Sequence, residues 1–383
     1  MNDEVRATGL DPAHDRAPAQ PAHGFGYLGD RGSPEAQLRH HDGRAASAAA
    51  GADLCGPTYA ALDLGTNNCR LLVARATHDG FRVIDAFSRI IRLGEGITAS
   101  GRLGEPAIAR AVEVLSICRD KMRNRGVTRT RLIATEACRL AANGIDFLER
   151  VRSDVGIALE IVDRETEAML AAIGCTPLVD PDSKGAVLFD IGGGSSEIAL
   201  LGRPQPHRTG PPEPSVRGWI SLPVGVVTLA ERHGGVIVTR QIFEAMVEEV
   251  TIHLRDFAHE HASDHSCDVH LLGTSGTVTT IAGVHLGLRR YDRRRVDGCW
   301  MIDDEVTDVM ERLLAMSYDE RVDNACIGAD RADLVLAGCA ILEAIRRVFP
   351  SARLRIADRG LREGMLVQMM RADGVWREAS VVS

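Results

Sequence analysis

Lysine is almost missing from this chain: Lys121 and Lys184 are the only two, so nearly all of the 45 basic residues are arginine. Genome composition is the bland reading of that bias. A basic excess is missing too, because 53 acidic residues outweigh the basic ones and leave a formal net charge of -8. That balance argues against general nucleic-acid binding, while leaving room for a local basic pocket around a polyanion. No C-x-x-C pair occurs among the nine cysteines (55, 69, 118, 138, 175, 267, 299, 326 and 339). An odd, scattered set excludes a zinc ribbon or disulfide frame and reads as reduced intracellular thiols. No apolar stretch approaches the ~18 to 20 residues that cross a bilayer, and no apolar signal-peptide core follows the acidic start Met1–Val5. A cytoplasmic protein without membrane contact is therefore expected. The P-loop, Rossmann, nucleophile-elbow and metalloprotease fingerprints are all missing as well.

Residues 1–57 are rich in Ala, Gly, Pro, His, Asp and Arg and show little aliphatic periodicity. Such a segment cannot offset its ordering entropy by apolar burial, so a disordered tail is expected there. Order is predicted from Thr58. Tyr59–Leu64 reads as a buried strand stopped by Gly65-Thr66-Asn67-Asn68, Arg70–Arg75 as the returning strand and Phe81–Phe87 as a third. Glu105-Pro106 opens a helix, with proline where its missing N–H costs nothing. Ile108, Val112, Leu115 and Met122 form the apolar stripe of that helix. Arg131–Thr135 is a further strand, with helices around Phe147–Asp154 and Glu165–Ile173. At Ala186 the pattern restarts. Val187–Ile191 runs into Gly192-Gly193-Gly194-Ser195-Ser196, Glu197–Leu201 returns, and a Pro/Gly-rich loop spans Gly202–Gly218. Trp219–Pro223, a helix near 240–258 and a strand at Val269–Leu272 follow.

The restart is an internal duplication. Leu62-Asp63-Leu64-Gly65-Thr66-Asn67-Asn68 and Phe189-Asp190-Ile191-Gly192-Gly193-Gly194-Ser195 share the order apolar, Asp, apolar, Gly, turn, and each turn leads into a second strand. Two similar α/β domains facing each other are expected, over 58–182 and 183–357, with 358–383 a C-terminal helix returning to the first. A glycine-rich turn presents successive backbone N–H groups without a Cβ to block an anion, which is how such nests hold phosphate oxygens. Each aspartate would repel a bare phosphate, so it makes sense beside a divalent cation or an ordered water. Mg²⁺ is the obvious candidate because it takes a carboxylate together with phosphate oxygens and keeps several waters. Two loops on opposite domains would clamp one phosphoanhydride chain. The phosphate-binding set is then Asp63, Gly65, Thr66, Asn67 and Asn68 with Gly192, Gly193, Gly194, Ser195 and Ser196, and Asp190 is the metal position. A third run, Gly273-Thr274-Ser275-Gly276-Thr277, either lines a phosphate or nucleotide site or is a helix-start turn with a Thr or Ser cap.

These residues resemble the exopolyphosphatase/guanosine-pentaphosphate phosphatase (Ppx/GppA) family. The matching segments are DLGTNNCRLL (63–72), ATEACR (134–139), EAML (167–170), DIGGGSSEI (190–198), LLGTSGTVTT (271–280) and DRGLREGML (358–366). The resemblance implies an α/β fold of duplicated ribonuclease-H-like domains, of the actin/Hsp70/sugar-kinase superfamily, with an interdomain active-site cleft. It implies Mg²⁺-dependent release of terminal phosphate from polyphosphate, or of the 5′-γ-phosphate from guanosine pentaphosphate. It places the catalytic base at Glu167, which also joins Asp190 at the metal, with Glu165 the alternative carboxylate. It makes Arg139 a phosphate-binding arginine. Members commonly form dimers, so a homodimer stays open. Arg289–Arg295 is a basic cluster, either a docking strip for a polyphosphate chain or a solvated loop. A same-fold kinase and a non-catalytic polyphosphate or alarmone sensor are the rival functions.

Overall fold

The computed structural model describes residues 56–207, 210–261 and 268–376. The tail expected over residues 1–57 lies outside them, apart from Gly56 and Pro57, as do Cys55 and Cys267. The other seven cysteines are unpaired thiols. No helix of the described residues is long and apolar enough to cross a membrane.

The first sheet holds β1 (Thr58–Leu64), β2 (Asn68–Ala76), β3 (Phe81–Ile90), β4 (Arg129–Ala134) and β5 (Glu160–Ile161), in the order β3-β2-β1-β4-β5. The second holds β6 (Gly185–Ile191), β7 (Ser196–Gly202), β8 (Val216–Leu222), β9 (Val269–Thr274), β10 (Trp300–Ile302) and β11 (Arg353–Ala357), in the order β10-β11-β9-β6-β7-β8. Each sheet starts as an antiparallel three-strand meander whose first strand then pairs in parallel with the fourth, β1 with β4 and β6 with β9. The fold is thus the duplicated actin-like one. The repeat extends to burial: β1 and β6 are closed in at every position except one, Asp63 and Asp190 respectively, which are half-buried. Strands covered on both faces read as near-continuous apolar runs, and the single break in each run marks the site.

The helices of the first lobe are α1 (Ile97–Ser100), α2 (Glu105–Asn124), α3 (Glu136–Leu140), α4 (Gly144–Val155) and α5 (Arg164–Cys175). Those of the second are α6 (Val226–His233), α7 (Arg240–Glu260), α8 (Ser275–His285), α9 (Arg293–Val296), α10 (Asp303–Ala315), α11 (Tyr318–Asp323) and α12 (Val335–Val348). The last, α13 (Leu361–Ala372), returns to pack on β1, β2 and β4. On α2 the buried stripe is Ala107, Ile108, Ala111, Val114, Leu115, Cys118 and Met122, and Val112 sits at its half-buried edge. Small residues, which periodicity alone passes over, complete the stripe. The expected loop over Gly202–Gly218 is shorter than read, because β8 begins at Val216 and Gln205 bridges Glu213.

α5 and α13 form the layer between the sheets. Leu170 and Ile173 of α5 join Leu361, Met365 and Leu366 of α13 in one apolar cluster with Tyr59, Leu72 and Ile133 of the first sheet. Ala171, Ala172 and Cys175 join Ala186, Leu188 and Leu201 of the second. The helices approach backbone to backbone: a Cβ on Gly174 would lie 1.9 Å from the Gly360 carbonyl oxygen, and one on Gly364 would lie 2.0 Å from that of Leu170. Main chain cannot swing aside as a side chain can, so Gly174→Ala should destabilise the protein by about 1–3 kcal/mol through overpacking. A thermal unfolding midpoint equal to that of the parent protein would refute this account of the interlobe layer.

Candidate active site

The two glycine hairpins are built alike. The last pair of β1–β2 is Leu64 with Cys69, and that of β6–β7 is Ile191 with Ser196, so each loop has four residues. Each closes with a glycine N–H donating to the carbonyl three residues on, Gly65 to Asn68 at 2.9 Å and Gly192 to Ser195 at 3.0 Å. Loop carbonyls are turned outward and capped. Thr66 and Asn67 accept from Ile91, Arg92 and Gly94, and Gly192 and Gly193 accept from the first amides of α6. The amides of Thr66, Asn67, Gly193 and Gly194 find no partner among the described residues. They are free for an anion.

The hairpins touch. A Cβ on Gly193 would lie 2.9 Å from Thr66 Cβ and 3.2 Å from the Asn67 nitrogen, and one on Gly194 would lie 2.9 Å from Thr66 Oγ1 and 3.0 Å from Glu136 Cγ. Only glycine lets the two loops come this close. Beside them opens a small cleft, with a cavity volume of about 60 Å³, lined by Asn67, Asn68, Gly192, Gly193, the first residues of α8 (Ser275, Gly276, Thr277), Thr280 and Arg331. The start of α8 thus brings a third set of main-chain groups to the same space. Ser275 holds a positive φ of 83° there.

Register decides which charges face the cleft. Residues opposite each other in an antiparallel pair share a face: Arg70 stands opposite Asp63, and Glu197 opposite Asp190. The duplicated position is therefore a cation in one lobe and a carboxylate in the other. Glu197 is buried and accepts from the Ser221 hydroxyl at 2.9 Å. Burial first, then Asp190, pushes its carboxyl up to about 7. Burial likewise raises Asp190 to about 6, with Asp63 adding to the rise, and raises Asp63 against the pull of Arg70 and Arg362. Arg70, Arg331 and Arg362 have no carboxylate within ion-pair distance among the described residues. Arg331 thus lines the cleft without a salt bridge, and Arg70 and Arg362 act on Asp63 and Asp190 without forming one.

Glu167 enters on the first turn of α5, which is capped by Asp163 accepting from the Thr166 amide at 2.7 Å. Its carboxylate receives Arg139 at 3.0 Å. Burial and the charge of Glu197 raise its proton affinity, and Arg139 works against them. Glu165, on the same turn, is exposed. Arg139 also donates to Glu136, at 2.5 and 2.9 Å, and to the Val162 carbonyl, while Arg164 holds the other oxygen of Glu136 at 2.7 Å. This directs Arg139 to carboxylates.

The residues read from the sequence divide accordingly. Asp63, Thr66, Asn67, Asn68, Glu167, Asp190, Gly192, Gly193, Gly194, Ser275, Gly276 and Thr277 gather at the two hairpins, the first turn of α5 and the start of α8. Gly65 and Ser195 supply the hydrogen bonds that close the two turns. Ser196 is fully buried and donates to the Val224 carbonyl at 2.7 Å. Gly273 packs against the Phe189 ring, and the Thr274 hydroxyl donates to the Arg359 carbonyl at 2.6 Å rather than capping α8. Glu136, Glu197, Arg70, Arg331 and Arg362 were not singled out from the sequence. Counting across the short hairpin would have found Arg70 and Glu197.

A divalent cation has suitable donors here. The Oδ1 atoms of Asn67 and Asn68 are buried without a partner, and Asp63 and Asp190 are desolvated carboxylates. No three His, Cys, Asp or Glu side chains among the described residues converge enough to hold a metal unaided. Such a donor set suits Mg²⁺, whose shell is completed by phosphate oxygens and water.

A model of the Ppx/GppA phosphatase family matches residues 72–373. Exopolyphosphatase 2 of Mycobacterium tuberculosis is 28% identical over 306 residues, 75% of this chain and 89% of that protein. A guanosine-5'-triphosphate,3'-diphosphate pyrophosphatase of Photobacterium profundum is 26% identical over 322 residues, 82% of this chain and 59% of that protein. The crystal structure of the Aquifex aeolicus family member superposes with a TM-score of 0.67 at 27% identity, covering 83% of this chain and 98% of that one.

Asp190 and Glu197 keep their protons in the folded chain at pH values where the unfolded chain has released them. Their contribution to stability is full below the ordinary carboxylate range and is lost as pH rises through about 6 and about 7. In chelator-treated protein the unfolding midpoint should therefore fall across that window, and Glu197→Gln should flatten the fall. Identical pH slopes for the two proteins would contradict the buried, proton-holding carboxyl.

Proposed function

The chain belongs to the Ppx/GppA phosphatase family, and we propose that it is a Mg²⁺-dependent hydrolase releasing terminal phosphate from inorganic polyphosphate or the 5′-γ-phosphate from guanosine pentaphosphate. One observation carries this reading: two hairpins with unpartnered amides meet face to face, with a buried glutamate and arginines without salt bridges around them. The names of the relatives, an exopolyphosphatase and a guanosine-pentaphosphate pyrophosphatase, support it.

Asp190 and Asp63, with the amide oxygens of Asn67 and Asn68, would hold Mg²⁺, which supplies charge neutralisation on phosphate oxygens. The free amides of both hairpins grip the terminal phosphoryl group and its neighbour, so that the scissile P–O bond lies between the lobes. Arg70, Arg331 and Arg362 balance charge on the non-bridging oxygens. Water attacks the terminal phosphorus in line, Glu167 accepts its proton, and the bond from that phosphorus to the bridging oxygen breaks, so that orthophosphate forms and the shortened chain or nucleotide leaves with the oxygen. Phosphoryl transfer rests chiefly on positioning and electrostatics, so little more is required. Arg139 holds the Glu167 carboxylate in place and works against its raised proton affinity, favouring the ionised form that a general base needs. Closure of the lobes excludes bulk water.

The basic cluster divides in two. Arg293 is committed to Glu363 at 2.8 Å and to the Asp358 carbonyl, and the Tyr291 hydroxyl donates to Asp358 at 2.7 Å. Arg289, Arg290, Arg294 and Arg295 remain exposed, and Arg289, Arg294 and Arg295 test whether the cluster meets a chain leaving the cleft.

Two outcomes follow. Glu167→Gln should cut phosphate release by at least about 10²-fold while binding of the phosphate chain survives; undiminished turnover from polyphosphate and guanosine pentaphosphate, assayed with Mg²⁺ and with chelator, would refute the assignment. Replacing Arg289, Arg294 and Arg295 together by serine should raise KM for long polyphosphate more than for tripolyphosphate, and an equal change for both would dispose of the docking strip.

A further inference from the structure

Arg92 lies outside every motif, yet it ties both lobes to the cleft. It follows β3 with a positive φ of 47°, a conformation that a long side chain rarely adopts. Its amide donates to the Asn67 carbonyl at 3.1 Å, so its main chain is fixed to the first hairpin. Its guanidinium crosses to the second lobe. There it grips both oxygens of Asp333, at 2.9 and 3.0 Å, and the Asp330 carbonyl at 3.2 Å. Those partners flank Arg331, whose guanidinium lines the cleft beside Gly276 and donates weakly to Thr280 at 3.5 Å. From behind, the buried Arg321 holds the Ala332 carbonyl at 3.0 Å. Arg110 secures the near side by donating to the Ile91 carbonyl at 2.9 Å. A two-toothed arginine–carboxylate contact fixes orientation as well as distance.

We propose that Arg92 and Asp333 form an interlobe clasp that positions Arg331 against the phosphate chain, so that the first hairpin and Arg331 act as one unit. The clasp makes no contact with the chain itself. Its effect on ligand passes through Arg331, and this makes Arg92 a positioning residue. The inference rests on the reading of the cleft as a phosphate-chain site, but binding tests it without requiring turnover.

The experiment uses tripolyphosphate as probe on the full chain, measuring its Kd by calorimetry and, in parallel, KM and kcat for phosphate release. Arg331→Ala should weaken binding. Arg92→Gln and Asp333→Asn should each weaken it about tenfold, the scale of coupled neighbours. Adding Arg92→Gln to Arg331→Ala should cost little more. The charge exchange Arg92→Asp with Asp333→Arg should restore part of the loss, which general damage to the fold would not allow. Full additivity of Arg92→Gln with Arg331→Ala, or unchanged affinity in Arg92→Gln, would overturn the clasp while leaving the phosphate site standing. No binding by the parent protein would bring down the site and the clasp together. Binding without phosphate release would sink the hydrolase reading alone.

Discussion

The close approach of two glycine hairpins governs this molecule. Gly193 and Gly194 face Thr66 at distances where any Cβ would collide. That contact is possible because each loop sends its carbonyls outward, to Ile91, Arg92 and Gly94 on one side and to α6 on the other. What remains facing the ligand space is N–H. A hairpin with its carbonyls inward would repel a phosphate; one with a side chain at Gly193 would hold the lobes apart. The remaining architecture serves this meeting. Two buried central strands deliver the loops, and α5 and α13 lock the sheets behind them through glycine contacts of their own.

Duplication set up the site, and its breakdown made it chemical. Asp63 and Asp190 occupy the same place in equal strands, but their cross-strand partners differ, Arg70 in one lobe and Glu197 in the other. A symmetric site with two aspartate–arginine pairs would hold anions without a surplus carboxylate. With Glu197 in place, a second carboxylate stands in the second lobe and, after burial, adds to the raised proton affinity of Glu167 across the gap. The charge asymmetry between the two hairpins thus traces to one position of the repeat.

Much of this was legible because strand, turn and strand are local. The runs around Asp63 and Asp190, the turn glycines and the opening of α2 are written in neighbouring residues, and the structure places them within a residue or two. The pairing of the loops across the cleft followed from their similarity. Arg331 was not legible, since it reaches the site from a loop far along the chain with no periodicity or spacing to mark it, while Arg362 sat unremarked inside the segment DRGLREGML. Arg139 shows a different limit. A guanidinium suits a phosphate or a carboxylate equally well, and its contacts with Glu136 and Glu167 could not be read from the sequence. The hydroxyls of Ser196 and Thr274 are similar cases, because main-chain carbonyls from distant segments take them up.

The last step concerns how the charges are kept apart. A protein selected for stability alone would pair Arg70, Arg331 and Arg362 with the nearby carboxylates, since an isolated buried charge is costly. Here the carboxylates are left desolvated with raised proton affinity, and Arg70 and Arg362 lower that affinity only from a distance, without a direct salt bridge. Each group is thus available to something of the opposite sign. A phosphate chain carrying a divalent cation answers both sets at once: its oxygens meet the amides and guanidinium groups, and its counter-ion meets the carboxylates. A bare anion would satisfy only half, and a bare cation only the other half. On the proposed function, the cleft would be complementary to the combined species rather than to either charge alone.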